Sequence, residues 1–135
     1  MTLQRPQLAV SAAIFRDGKV LVVRRARDPA RRLYTLPGGR VESGETLIEA
    51  VAREVREETT LTIEVLDLAG YREILPRDGH SGHFVILPFA ARWIAGEVTL
   101  DAESDDFHWV TDGELAELPT TEGLADIVRA ARAMI

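Results

Sequence analysis

The chain has 135 residues, 46% of them hydrophobic and 28% charged, enough for a single α/β domain over residues 1–135 with a buried core. Sixteen basic against 22 acidic residues leave a net charge of −6, which argues against nucleic acid as a partner, since backbone binding needs a basic face. There is no cysteine, which removes a disulfide scaffold, a zinc knuckle and a thiol nucleophile and fits a cytoplasmic protein.

Uncharged stretches such as Pro6 to Phe15 and Gly82 to Ala91 run to about ten residues, and none exceeds 13. A membrane helix needs ~20, so no membrane partner is expected. Arg5 and Pro6 stand where a signal peptide would carry its apolar run. Leu8 to Phe15 and Val20 to Val23, joined by Arg16-Asp17-Gly18-Lys19, read as a hairpin. Thr46 to Thr59 carries a helical stripe at Leu47, Ala50, Val51 and Val55, opened by the capping box Thr46-Leu47-Ile48-Glu49. Thr62 to Leu75 alternates as one or two strands, and Pro76 to Gly82 reads as loop. His83 to Trp93 is apolar enough for a strand buried on both faces. A short strand near Val98 to Leu100 and a helix from about Thr121 to Ala133 complete the series. Strands on both sides of the first helix predict a mixed sheet packed between helices.

The first helix is too acidic for its own stability. Glu54, Glu57 and Glu58 are related as i, i+3 and i+4 and share a face, where like charges cost about 0.2–0.5 kcal/mol per pair. Glu57 and Glu58 also approach the helix C-terminus, where the macrodipole disfavours negative charge. Either Arg53 and Arg56 neutralise a solvated face, or a hard divalent cation held by oxygen ligands offsets the repulsion. Upstream, Leu36-Pro37-Gly38-Gly39-Arg40 is a glycine turn that lets the backbone approach a ligand closely.

The spacing now spans 23 residues, Gly39 to Leu61. Gly39 is followed after five residues by Glu45, after seven more by Arg53-Glu54, then Val55, one residue, and Glu57-Glu58. This resembles the Nudix box, the signature of the Nudix hydrolase superfamily. One position departs: Thr60 stands where the family pattern has glycine before the final aliphatic Leu61. A left-handed helix end there costs a β-branched residue roughly 1–2 kcal/mol. Either Thr60 is strained or the helix ends by another route, and the placement of Glu57 and Glu58 depends on which.

The resemblance implies an α/β/α sandwich and hydrolysis of the P–O–P bridge of a nucleoside diphosphate linked to another group. It implies Mg²⁺, with Mn²⁺ as substitute, held by Glu54, Glu57, Glu58 and the Gly39 carbonyl. Such an ion neutralises charge on the bridging oxygens and makes water nucleophilic near pH 7. Arg53 would orient a carboxylate of this set, with a helix-surface salt bridge as the alternative, and Glu45 would brace the loop–helix corner. Glu103, six residues before Trp109, is the candidate loop carboxylate. Asp105 and Asp106 are its rivals, and a solvated turn is the plain alternative. Arg24 or Arg25, at the end of the second strand, would hold a phosphate together with the Gly38-Gly39 turn. Tyr34 and Trp109 are read as core.

The layout looks most like the small bacterial ADP-ribose pyrophosphatase branch, with Pro76 fifteen residues past Leu61 as a weak pointer to it. The expected products are then AMP and ribose 5-phosphate. The alternatives are a nucleoside triphosphate pyrophosphohydrolase that clears oxidised or non-standard nucleotides, and a catalytically silent nucleotide-sensing module. The complete glutamate set, and the absence of an appended DNA-binding domain up to Ile135, argue against the sensor. Family members are often homodimers, but no interface is marked by pattern in this chain, and the sequence leaves a homodimer open.

Overall fold

The computed structural model describes residues 5–78 and 82–135. Among them are eight strands, β1 (Gln7–Arg16), β2 (Lys19–Arg25), β3 (Tyr34–Thr35), β4 (Gly38–Arg40), β5 (Thr62–Leu68), β6 (Arg72–Ile74), β7 (Phe84–Ala95) and β8 (Ser104–Val110). Three helices accompany them, α1 (Leu47–Thr59), α2 (Asp112–Leu115) and α3 (Leu124–Arg132). All eight strands form one sheet with the central order β3-β2-β1-β7-β5, to which β4 is added on β1, β6 on β7 and β8 on β2. β1 and β7 run parallel from Gln7↔Phe84 to Phe15↔Arg92, whereas the other pairings are antiparallel. The sheet is therefore mixed, as expected.

The central strands are apolar on both faces because both faces are covered. Alternate residues sort cleanly. Val10, Ala12 and Ile14 of β1, with Leu21 and Val23 of β2, pack against Ala50, Val51 and Val55 of α1. Ala13, Phe15, Val20 and Val22 face the other way, onto Leu115 of α2 and Leu124, Val128 and Ala131 of α3. The result is an α/β/α sandwich with a core on each side of the sheet.

The predicted hairpin holds only at its base, at Phe15↔Val20 and Arg16↔Lys19. Beyond that point the strands part, and the freed edge of β1 takes β4 instead, from Ala9↔Arg40 to Ser11↔Gly38. The parting brings the glycine turn into the sheet beside α1.

Helix α1 starts as the sequence predicts. The Thr46 side chain accepts from the Glu49 N–H, and the Glu49 carboxylate accepts from the Thr46 N–H. Its end settles the question of Thr60, which adopts the left-handed conformation (φ 66°) and donates its N–H to the Arg56 carbonyl. The strain is offset in part by the hydroxyl, which donates to the Glu97 carbonyl at 2.8 Å. Such a bond contributes about 1 kcal/mol against a cost of roughly 1–2.

Several elements differ from expectation. Residues 98–100 form no strand; Thr99 donates its N–H to the Thr59 carbonyl at the end of α1, a helix-end role rather than a ladder role. β7 is fully buried only over Pro88 to Ala91, with Leu87 and Trp93 partly buried against the α1-side core. Pro76–Asp78 is a short 3-10 turn, and residues 79–81 of the predicted loop lie outside the described residues. The last helix begins at Leu124, with Gly123 as its N-cap, rather than at Thr121. The four-residue α2, too short to show periodicity, has its own capping box of Thr111 and Glu114. Among the described residues no helix is long and apolar enough to cross a membrane.

Candidate active site

The site is built where α1 lies across the glycine turn. A Cβ on Gly38 would stand 2.0 Å from the Val10 carbonyl oxygen, so only glycine lets β4 pair with β1 here. A Cβ on Gly39 would stand 2.3 Å from Glu54 Oε2, so only glycine leaves room for that carboxylate. Both glycines serve close approach, and φ is not the constraint.

The three helix glutamates occupy different environments. Glu58 points inward and is 7% exposed. Its Oε2 accepts the Gly38 N–H at 3.0 Å and its Oε1 accepts the Ser104 hydroxyl at 3.0 Å. Burial pushes its carboxyl up to about 7, against the lowering effect of those two bonds. Glu54 is half-buried beside Gly39, and desolvation raises its carboxyl too, with Arg53 opposing. Glu57 sits at the rim, its side chain 58% exposed.

Arg53 organises this face. Its Nε and Nη2 meet the two oxygens of Glu45 at 2.7 and 2.9 Å, a forked pair. Nη1 donates to Glu54 at 2.8 Å and to Glu57 at 3.2 Å, and Nη2 also reaches the Arg40 carbonyl at 3.0 Å. Arg53 is thus raised above its ordinary value, chiefly by the bond to Glu45. The same bond, helped by the Glu42 N–H, holds the Glu45 carboxyl down at about 2. Glu45 braces the corner as expected, and Arg53 is an organiser rather than a loose surface pair.

One guanidinium faces Glu42, Glu45, Glu54 and Glu57, and Glu58 is buried beyond its reach among neutral donors. The negative charge is therefore under-compensated, and the donors are oxygens alone, which fits a hard divalent cation. Among the described residues no three such groups already converge at ligand distance. The reason is visible: Arg53 Nη1 stands between Glu54 and Glu57 and bonds both, so a cation would have to replace it there. Glu57, exposed at the rim, is free enough to turn.

The second acidic segment is arranged otherwise. Asp105 pairs with Arg24 Nε at 2.7 Å. Asp106 accepts a short hydrogen bond from the Tyr34 hydroxyl and lies 3.1 Å from His108 Nε2. Glu103 is exposed, its N–H bonded to Asp101 Oδ1 at 3.0 Å and its carbonyl accepting the Ala26 N–H. Arg25 Nε donates to the Pro29 carbonyl at 2.6 Å. Both arginines proposed for phosphate thus have protein partners at the end of β2. Tyr34 is core, 5% exposed, with its hydroxyl satisfied by Asp106. Trp109 is half-buried against the α1-side core.

A family model described as the NUDIX domain matches residues 5–131. The chain belongs to the Nudix family. It is 39% identical over 104 residues to a protein named ADP-ribose pyrophosphatase from Methanocaldococcus jannaschii, a match covering 76% of this chain and 61% of that protein. It is 36% identical over 129 residues to "Putative 8-oxo-dGTP diphosphatase 2" of Mycobacterium tuberculosis, covering 91% of this chain and 89% of that one. Among solved structures it resembles a MutT Nudix hydrolase from Burkholderia pseudomallei, with a TM-score of 0.84, 26% identity and coverage of 94% and 98%.

Against the Nudix pattern, Ser104 is the residue that sequence reasoning missed. A serine between Glu103 and Asp105 reads as turn chemistry. Its burial follows from β8 pairing with β2, which is a tertiary fact. The signal available was modest: Ala102 and Ser104 are both small and uncharged in the acidic run, and only Ser104 falls within the strand.

Proposed function

We propose that this Nudix chain hydrolyses the pyrophosphate bridge of a nucleoside diphosphate derivative, with ADP-ribose, cleaved to AMP and ribose 5-phosphate, as the leading substrate. The observation that carries the reading is the face of α1 closed over Gly38-Gly39, where several carboxylates share a single guanidinium. Glu54, Glu57 and Glu58, with the Gly39 carbonyl, would hold Mg²⁺ or Mn²⁺. Such an ion, when bound, neutralises bridging phosphate charge and lowers the pKa of water.

The protein's own groups have separable tasks. Arg53 and Glu45 fix the helix face against the turn. Glu58 is held ready by two neutral donors, and Glu54 lies in the space that Gly39 leaves. Glu103, exposed beside this face at the head of β8, is the loop carboxylate able to reach an attacking water. Arg24, whose ion pair with Asp105 is solvent-screened and therefore weak, can exchange that partner for a substrate phosphate; Arg25 is the second cation at this strand end. The ADP-ribose assignment is supported by the archaeal relative's name. The mycobacterial relative's name, from a match over nearly the whole of both chains, favours a second reading, a nucleoside triphosphate pyrophosphohydrolase acting on oxidised nucleotides.

A substrate panel with Mg²⁺ at mildly alkaline pH, with products separated by chromatography, distinguishes them. It would hold ADP-ribose, other ADP-sugars, dinucleoside polyphosphates, and ordinary and oxidised triphosphates. AMP plus ribose 5-phosphate with triphosphates untouched is the expected result. Pyrophosphate released from triphosphates moves the chain to the second reading. Binding of nucleotides without any turnover returns the sensing module.

A further inference from the structure

The last turn of α1 is closed by the segment 96–104. Asp101 donates its N–H to the Glu58 carbonyl at 3.2 Å and Thr99 to the Thr59 carbonyl at 3.0 Å, so carbonyls that a helix end leaves unpaired are satisfied. The Thr60 hydroxyl returns a bond to the Glu97 carbonyl. The segment then enters β8, where Ser104 lies opposite Arg25 at a shift of register, and the Glu103 carbonyl accepts the Ala26 N–H at 3.0 Å. Ser104 is thereby fixed from the helix side and from the sheet side, and it is 6% exposed.

From that position its hydroxyl donates to Glu58 Oε1, while the Gly38 N–H serves Oε2. Each carboxylate oxygen has one donor and keeps acceptor capacity unused. The contrast with Arg53 is chemical. Arg53 brings positive charge to Glu54 and Glu57, and so competes with a cation. Ser104 is neutral, and orients Glu58 without neutralising it.

We propose that Ser104 is a positioning residue whose hydroxyl fixes the rotation of Glu58 so that its free lone pairs face a divalent cation. Outer partners of this kind orient metal-ligating carboxylates, and losing one typically weakens metal binding about 10–100-fold. The assignment rests on the hydrolase reading for its consequence in turnover, but on cation binding alone for its own test.

The test is calorimetric titration of Mn²⁺ into wild type, Ser104→Ala and Ser104→Thr, with circular dichroism and metal-free Tm recorded first. Ser104→Ala should bind Mn²⁺ about tenfold more weakly. Ser104→Thr, which restores the hydroxyl, should stay within about twofold of wild type. On the substrate that the panel identifies, the alanine variant should lose kcat with KM little changed. If Ser104→Ala fails to fold, Ser104→Cys keeps the volume with a weak donor and takes its place with the same expectation. Unchanged Mn²⁺ affinity in the donor-deficient variant overturns the proposal. So does equal loss in the threonine variant, which would mean a packing role, and so does a wild type that binds no Mn²⁺ at millimolar concentration. Tight Mn²⁺ binding by wild type without turnover of any pyrophosphate would instead sink the hydrolase reading and leave the Ser104 assignment to the titration.

Discussion

Two acidic segments, residues 53–58 and residues 101–106, look alike in composition and behave differently in the fold. In the second, the two carboxylates in β8 have private partners: Arg24 takes Asp105, and Tyr34 with His108 takes Asp106, while Asp101 accepts the Glu103 N–H and the Glu103 side chain is exposed. In the first, Glu54 and Glu57 draw on one guanidinium that Glu45 already holds in a fork, and Glu58 is buried with neutral donors only. An acidic run with private partners is ordinary surface chemistry. An acidic run that shares one cation and is partly desolvated is poised for another.

The sharpest way to break the comparison is to remove one charge from each segment. Glu57→Gln should abolish most metal-dependent turnover, with a loss on the order of 10²-fold or more, as expected when a group that stabilises developing charge is removed. Asp105→Asn should shift stability by no more than about 1 kcal/mol, because its pair with Arg24 is solvent-exposed. Thermal melts and steady-state kinetics on both variants check this. A Glu57→Gln enzyme as active as wild type would remove the metal assignment.

A smaller effect concerns pH. Folding raises the Glu58 carboxyl from 4.5 to about 7, so the folded state binds the proton more tightly than the unfolded chain. Metal-free stability attributable to this group is therefore greatest below about pH 4.5, falls as pH rises, and levels off once pH exceeds about 7. Added Mg²⁺ should raise Tm more at pH 8 than at pH 5, and Glu58→Gln should flatten the difference. Glu45 runs the other way. Its carboxyl is depressed to about 2, so its contribution is present above about pH 4.5 and is lost as pH falls toward 2. Melts of Glu45→Gln should match wild type more closely at pH 2 than at pH 6.

The smallest expected effect is at Thr60. Thr60→Gly relieves the left-handed strain but gives up the hydroxyl bond to Glu97, and the two nearly cancel, within about 1 kcal/mol. Turnover should be unchanged. A large gain or loss would mean that this helix end tunes the placement of Glu57 and Glu58.

How much of this was legible from sequence depends on the range of the forces involved. Helix α1 was readable to the residue because its capping box and apolar stripe are local. The mixed sheet between helices was readable because strands flank α1, and the α/β/α sandwich followed from the family resemblance carried by Gly39 to Leu61. The parting of the hairpin was not, since it is set by β4, a strand distant in the chain that takes the same edge of β1, and turn residues do not encode it. The strand assigned near Val98 failed because that segment spends its backbone donors on the end of α1. In the site, Arg53, Glu54 and Glu45 were legible from spacing. The burial of Glu58 was not, because a charged residue near a helix C-terminus reads as exposed until its donors, Gly38 and Ser104, are seen in space.

The most direct test of the central claim is titration of Mg²⁺ into metal-free wild type, Glu54→Gln and Asp105→Asn, followed by calorimetry. Binding by wild type and Asp105→Asn alike, with loss of tenfold or more in Glu54→Gln, is the predicted result. Equal affinity in all three proteins would contradict it, and would make the shared-guanidinium face no different from the segment around Asp105.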